Sequence, residues 1–183
     1  KIANAIVKQQ LRDNEVKLLE YDKQVAQVRL MALRSQMNPH FIFNCLNSID
    51  NFILKQEADK ASMYLNKFAK LIRLILNQSD KLNTTLQTEI EIINYYLELE
   101  AQRFGNKFTY MINETVEEDL SEIEIPSMVI QPFVENALLH GIMNREGTGG
   151  LLKIKFSEDN GNILCIIEDN GVGRKRAAEV KAS

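Results

Sequence analysis

Three side chains stand where chemistry could be organised: an imidazole at His40, a carboxamide at Asn136 and a carboxylate at Asp169. His40 directly follows Pro39, and Asn44, Asn47 and Asn51 follow it at steps of four, three and four. On a helix that spacing draws one polar stripe, roughly opposite the apolar stripe of Ile42, Leu46, Ile49 and Ile53. An exposed neutral imidazole is a nucleophile near neutral pH. A surface histidine with no role looks the same in isolation, so His40 has to be read with its context.

Asn136 and His140 lie on one helix face in Pro132-Phe133-Val134-Glu135-Asn136-Ala137-Leu138-Leu139-His140-Gly141. Phe133, Val134, Ala137 and Leu138 are expected to pack on a sheet. A carboxamide oxygen is a hard ligand suited to a Mg²⁺ that bridges phosphates. Glu135, beside it, could orient a group or accept a proton. A solvated helix face accounts for Glu-Asn-Ala equally well. In Ile166-Ile167-Glu168-Asp169-Asn170-Gly171-Val172-Gly173-Arg174 an apolar strand runs into an acid and Gly-x-Gly. Asp169 could accept from the exocyclic amine of a base, while Gly171 and Gly173 let backbone approach a ligand. The strand–turn–helix frame of a dinucleotide fold is absent, so that reading is weak.

These groups need elements to position them. Of the 183 residues, 45% are hydrophobic, enough for one large domain or two small ones with a packed core. The formal net charge of −3 carries no basic excess that would indicate nucleic acid or an acidic membrane surface. Cys45 and Cys165 sit far apart in apolar runs, without metal-site spacing, and are read as buried free thiols. No apolar run approaches the roughly 20 residues needed to span a bilayer.

Residues 1–33 carry a heptad through Val7, Leu11, Asn14, Leu18, Tyr21, Val25, Val28 and Ala32, the seam of a coiled coil. Pro39 would kink or restart that helix. A second stripe, Ala61, Leu65, Phe68, Ile72 and Ile75, completes a helical hairpin over residues 34–80. One hairpin cannot bury two such stripes, so a dimeric four-helix bundle is expected. Asp80–Thr85 reads as a turn-rich linker. Thr84 with Gln87, or Thr88 with Glu91, would cap a helix marked by Ile90, Ile93, Leu97, Ala101 and Phe104 and ended by Gly105. The spacing further predicts a strand over 107–113, a helix from about Ser127 to Gly141, and a strand through Leu152, Ile154 and Phe156. Asn160-Gly161 then makes a hairpin turn into Asn162–Glu168. The expected fold is α plus α/β. A coiled coil and dimeric hairpin precede a two-layer α/β domain over 81–183, in which helices cover one face of a mixed sheet.

Taken in order, these segments resemble the LytS-type sensor histidine kinases. Leu33-Arg34-Ser35-Gln36-Met37-Asn38-Pro39-His40-Phe41-Ile42-Phe43-Asn44, with Leu46-Asn47-Ser48-Ile49 after it, is similar to that family's phosphoacceptor segment. Tyr96-Leu97, Glu100 and Arg103-Phe104 are similar to the helix that opens its ATP-binding domain. Pro132 to Gly141 resembles the asparagine box, and Asp169 to Gly173 the first glycine box.

The resemblance implies the ATPase fold shared with gyrase, MutL and the large heat-shock chaperones. It implies ATP as phosphoryl donor, Mg²⁺ on Asn136, adenine on Asp169, and Gly171 and Gly173 at the base and lid. His140 joins these as a nucleotide-binding residue and Glu135 joins His40 in the catalytic set. Asn44, one turn after His40, is placed to orient a water or the imidazole, as a phosphatase residue would be. The phosphoryl group would pass to an aspartate of a response-regulator protein. The kinase would be a homodimer anchored in the membrane upstream of residue 1, with this portion on the cytoplasmic side of the inner membrane.

Two departures stand out. The family's second glycine box, Gly-x-Gly-Leu, does not occur before Ser183, so the nucleotide domain is expected to be C-terminally incomplete and to bind ATP weakly. Leu139 stands where many histidine kinases place a basic residue near the phosphates. Two rival readings are a non-catalytic dimeric signalling scaffold with a degenerate nucleotide site and an ATPase of the related fold without phosphohistidine. The Gln36–Asn44 segment argues against the second.

Overall fold

The computed structural model describes residues 39–78 and 81–173. The coiled coil expected over 1–33, and the end of the chain from 174, lie outside the described residues. The chain divides into two compact units, Lys1–Ile42 and Phe43–Ser183. Of the first unit only the opening turn of helix α1 (Pro39–Leu54) is described, with His40 exposed.

The second unit takes in the rest of α1, then α2 (Ala58–Gln78), strand β1 (Asn83–Thr85), α3 (Leu86–Phe104) and β2 (Phe108–Thr115). Strand β3 (Glu124–Pro126), helix α4 (Gln131–Glu135), a π-helical turn (Asn136–Ile142), β4 (Gly150–Asp159) and β5 (Asn162–Asp169) follow. The main sheet has the order β2-β4-β5, with β2 parallel to β4 and β4 antiparallel to β5. The mixed sheet expected from the sequence is therefore present. Leu152, Ile154 and Phe156 of β4 point into the core, where each side chain contributes about 1.5–3 kcal/mol. Lys153 and Lys155 face out between them. Leu86, Ile92, Ile93, Leu97 and Leu99 of α3 and Val134 and Leu138 beyond it complete that core. Asn160 and Gly161 both have positive φ, 52° and 75°, as the tight β4–β5 turn requires.

Helix α3 is stopped by Gly105 at φ 61°, as its position predicts. Its N-cap is a correction. Thr85 caps it, accepting from the Thr88 backbone N–H at 3.2 Å, where Thr84 or Thr88 had been expected. The reason lies in the segment read as a linker: Asn83–Thr85 pairs with β3 as a second, two-stranded sheet, which turns Thr84 inward. The same pairing brings Ile123 and Leu120, whose carbonyls accept from Leu86 N–H and Gln87 N–H at 2.8 and 3.1 Å. Those are two of the four donors that a helix start leaves without an intrahelical partner.

The hairpin helices also differ from their stripes. In α1 the buried residue is Cys45, while Leu46 and Ile53 stay 49% and 58% exposed. In α2 the buried line runs Ala61, Tyr64, Leu71, Ile75, and Leu65 is 49% exposed. Tyr64 turns in because its hydroxyl reaches Cys45 Sγ at 3.5 Å and the Leu99 carbonyl at 3.4 Å. Helix α2 packs along α3, where Lys67 pairs with Glu98 at 2.6 Å and the Lys70 ammonium lies 5.8 Å from the Tyr95 ring centroid. Both cysteines are free, and burial pushes each thiol up to about 11. No described helix is long and apolar enough to cross a membrane.

Candidate functional site

The helix expected from Ser127 begins later. Met128 takes a left-handed φ of 60°, and regular helix starts at Gln131 with Pro132 in its first turn. Pro132 suits that position because the donor it lacks would have no partner there. Val134, Ala137 and Leu138 are buried as expected, but Phe133 is 60% exposed and does not pack on the sheet. From Asn136 the helix widens into a π-turn, closed by Met143 N–H donating to the Leu138 carbonyl at 2.9 Å. Such widened turns recur at functional sites because they redirect side chains without ending the helix. Asn136 and His140 both stay exposed along it.

Two segments that are remote in sequence meet at Gly141. The Val172 N–H donates to the Gly141 carbonyl at 3.2 Å. A Cβ on Gly171 would lie 2.1 Å from the Gly141 carbonyl carbon, and one on Gly141 would lie 2.5 Å from Asp169 Oδ1. Only glycine pairs allow backbones so close. Asp169 Oδ1 accepts from the Gly171 N–H at 2.9 Å, which fixes the carboxylate at the end of β5. Gly173 has φ 77°, and among the described residues nothing lies within 4 Å of where a Cβ would stand. The asparagine-bearing turn and the Asp169–Gly173 turn therefore form one junction, with Asn136, His140 and Asp169 exposed.

Glu135 is half-buried and accepts from Gln131 Nε2 at 2.9 Å. Burial pushes its carboxyl above the usual carboxylate range; the Gln131 bond opposes that rise and the charge of Glu100 adds to it. Glu100 is itself 1% exposed and holds Arg103, whose Nε donates to it at 3.0 Å. A group held in this way exchanges a proton nearer neutral pH than a free carboxylate does.

His40 lies in the first unit, exposed on α1; Asn44 is half-buried one turn later, its carbonyl accepting from the Ser48 hydroxyl at 2.8 Å. Among the described residues no cluster of three or more His, Cys, Asp or Glu side chains could hold a metal. An exposed carboxamide such as Asn136 fits Mg²⁺, which keeps most of its shell in water and phosphate oxygens. An open cleft of about 540 Å³ between α3 and the end of β2, lined by Gln87, Glu91, Asn94, Glu114 and Asp119, includes none of these residues.

Sequence reasoning missed several residues that build the junction. Asn170 ties it to the preceding loop, accepting from Leu151 N–H at 2.7 Å and donating to the Gly149 carbonyl at 3.1 Å. Arg145 donates to the same carbonyl at 3.1 Å. The run Gly147-Thr148-Gly149-Gly150 was the available signal. Glu89, buried in α3, accepts from the backbone of Met128, Ile130 and Gln131 and gave no signal at all.

A family model described as histidine kinase matches residues 28–108. Among curated proteins, the uncharacterized protein YwpD of Bacillus subtilis (strain 168) is 34% identical over 152 residues, covering 82% of this chain and 53% of YwpD. Sensor histidine kinase BtsS of Escherichia coli (strain K12) is 31% identical over 164 residues, covering 88% of this chain and 28% of BtsS. Sensor histidine kinase/phosphatase LytS of Staphylococcus aureus (strain Mu50 / ATCC 700699) is 30% identical over 151 residues, covering 82% of this chain and 25% of LytS. The chain thus spans about half of YwpD and about a quarter of the two sensor kinases.

Proposed function

The chain belongs to the LytS-type sensor histidine kinases, and on that premise we propose that it transfers the γ-phosphate of ATP to His40. In this reading residues 1–33 form a coiled coil, 34–80 the dimerisation and phosphoacceptor hairpin, and 81–183 the nucleotide-binding domain. The observation that supports it is the close approach of Gly141 to Asp169, Gly171 and Val172, because Asn136 and His140 lie on the helical arm of that junction and Asp169 on the other. Asp169 would accept from the adenine amine, and Gly171 and Gly173 would let backbone lie against the nucleotide. A Mg²⁺ ion on Asn136 would neutralise charge between the phosphates.

His40 supplies the nucleophile through a neutral ring nitrogen, in line with the leaving oxygen. Glu135, with its proton affinity raised, is suited to orient a group or to accept a proton. Asn44 is suited to orient the imidazole, or a water that hydrolyses the phosphoryl group and releases phosphate, as a phosphatase residue would. The phosphohistidine would pass its phosphoryl group to an aspartate of a response regulator. Phe43, Leu46, Ile53 and Leu54 of α1 and Met63, Leu65 and Leu76 of α2 are large, apolar and exposed, which favours a second copy of the hairpin packed against them. The substrates place this part of the kinase in the cytoplasm.

The test is incubation with γ-labelled ATP and Mg²⁺. Acid-labile label that disappears in His40→Gln, with the dimer retained, is the expected result. Label retained in His40→Gln refutes the assignment.

A further inference from the structure

The buried carboxylate of Glu89 is used by none of the chemistry above. It is fully buried in α3, and among the described residues no lysine or arginine pairs with it. Its partners are three backbone donors remote in sequence: Met128 N–H at 3.1 Å on Oε2, and Ile130 and Gln131 N–H at 3.0 and 3.4 Å on Oε1. These lead into α4. Ile130, at the N-cap position, offers no side-chain cap of its own. A helix start leaves its first N–H groups without acceptors and carries partial positive charge, so a carboxylate from α3 satisfies both needs at once. Met128, at φ 60°, is held in a backbone region costly for a side chain of its kind.

The chain of contacts continues to the site. Gln131, whose backbone is held by Glu89, donates through Nε2 to Glu135 at 2.9 Å, and Asn136 is the next residue. We propose that Glu89 is a positioning residue, setting the helix that carries Glu135 and Asn136 through Met128, Ile130 and Gln131. The proposal rests on the reading of that segment as the Mg-nucleotide segment. Burial pushes the Glu89 carboxyl above its usual range despite the three donors, so holding the charge there costs stability.

The test uses the whole 183-residue chain. Glu89→Gln keeps shape and one acceptor oxygen but loses the charge. Its circular dichroism is expected to stay close to the parent's, while its urea midpoint falls because an NH₂ now faces a buried backbone donor. The amides of Met128, Ile130 and Gln131 are expected to exchange hydrogen about tenfold faster. Mg-ADP affinity is expected to fall about tenfold.

Unchanged exchange overturns the proposal, and so do released amides with parental Mg-ADP affinity. A parent chain that binds no Mg-ADP overturns the nucleotide reading instead, while amide exchange still decides whether Glu89 holds the segment. Should Glu89→Gln not fold, Gln131→Met breaks only the last link. It is expected to leave the Met128 amide protected and to lower Mg-ADP affinity about tenfold; parental Mg-ADP affinity overturns the proposal.

Discussion

Alanine at Gly141 and alanine at Gly171 should fail in different ways, although the two glycines touch. A Cβ on Gly171 meets only backbone, at 2.1, 2.4 and 2.5 Å from the Gly141 carbonyl carbon, oxygen and Cα. Backbone in a packed helix cannot yield, so the two turns must separate. Overpacking costs about 1–3 kcal/mol, and loss of the Val172–Gly141 hydrogen bond adds about 1 kcal/mol. The expected loss is about 2–4 kcal/mol, which for a chain of this size lowers Tm by about 4–16 °C. A Cβ on Gly141 instead meets the Asp169 side chain, at 2.5 Å from Oδ1 and 3.0 Å from Cγ. That side chain is exposed and can swing out, giving up its bond to Gly171 N–H. Alanine gains about 1 kcal/mol over glycine in helix propensity, which offsets most of that bond. Gly141→Ala should therefore stay within about 1 kcal/mol of the parent yet displace the carboxylate proposed to hold adenine. Thermal and urea unfolding measure the first quantity, and titration with an adenine nucleotide the second. A Gly171→Ala chain as stable as the parent, or a Gly141→Ala chain less stable than Gly171→Ala, would falsify the close-packed junction.

Leu46→Asp and Leu65→Asp each replace a half-exposed apolar side chain, so light scattering should show a dimeric parent and monomeric variants. Their unfolding should lose the concentration dependence that dimerisation gives the parent; a monomeric parent at micromolar concentration would remove the basis for a packed second hairpin. Asn136→Asp changes an exposed position and should leave the melting curve intact while weakening Mg-nucleotide binding about tenfold by calorimetry; unchanged binding would show that Asn136 is not the metal ligand. Glu135 has its folded-state proton affinity raised, by burial first, so its charged form costs stability: the folded chain binds more protons than the unfolded one as pH rises from the free-glutamate value of 4.5 to the raised value. Stability relative to Glu135→Gln should thus fall across that window and level off above it, and parallel urea midpoints for the two chains from pH 4.5 upward would contradict the sign.

What could be read from the order of residues alone was whatever a period or a local turn determines. Leu152, Ile154 and Phe156 alternate with lysines, and a strand with one buried face follows from the pleat. Asn160-Gly161 permits two left-handed residues, and Gly105 permits one, so a hairpin turn and a helix stop were legible. Asn136, Asp169 and the two glycines after Asp169 were legible as residue types suited to a nucleotide.

Contacts between remote segments decided the rest. Pairing of Asn83–Thr85 with Glu124–Pro126 moved the cap of α3 to Thr85, because a short strand takes its identity from a partner that its own composition does not name. Which apolar line of α1 and α2 faces the chain's own core was settled by Tyr64 reaching Leu99, thirty-five residues away. Gly141 and Gly171 owe their close approach to each other's backbone, a reason invisible while the two segments are thirty residues apart. Glu89 looked like one more acid on a helix of mixed character, and only the folded chain brings three backbone N–H groups to it. Local propensity is set within a few residues, whereas burial and hydrogen-bond partners depend on which distant surfaces the fold has brought together.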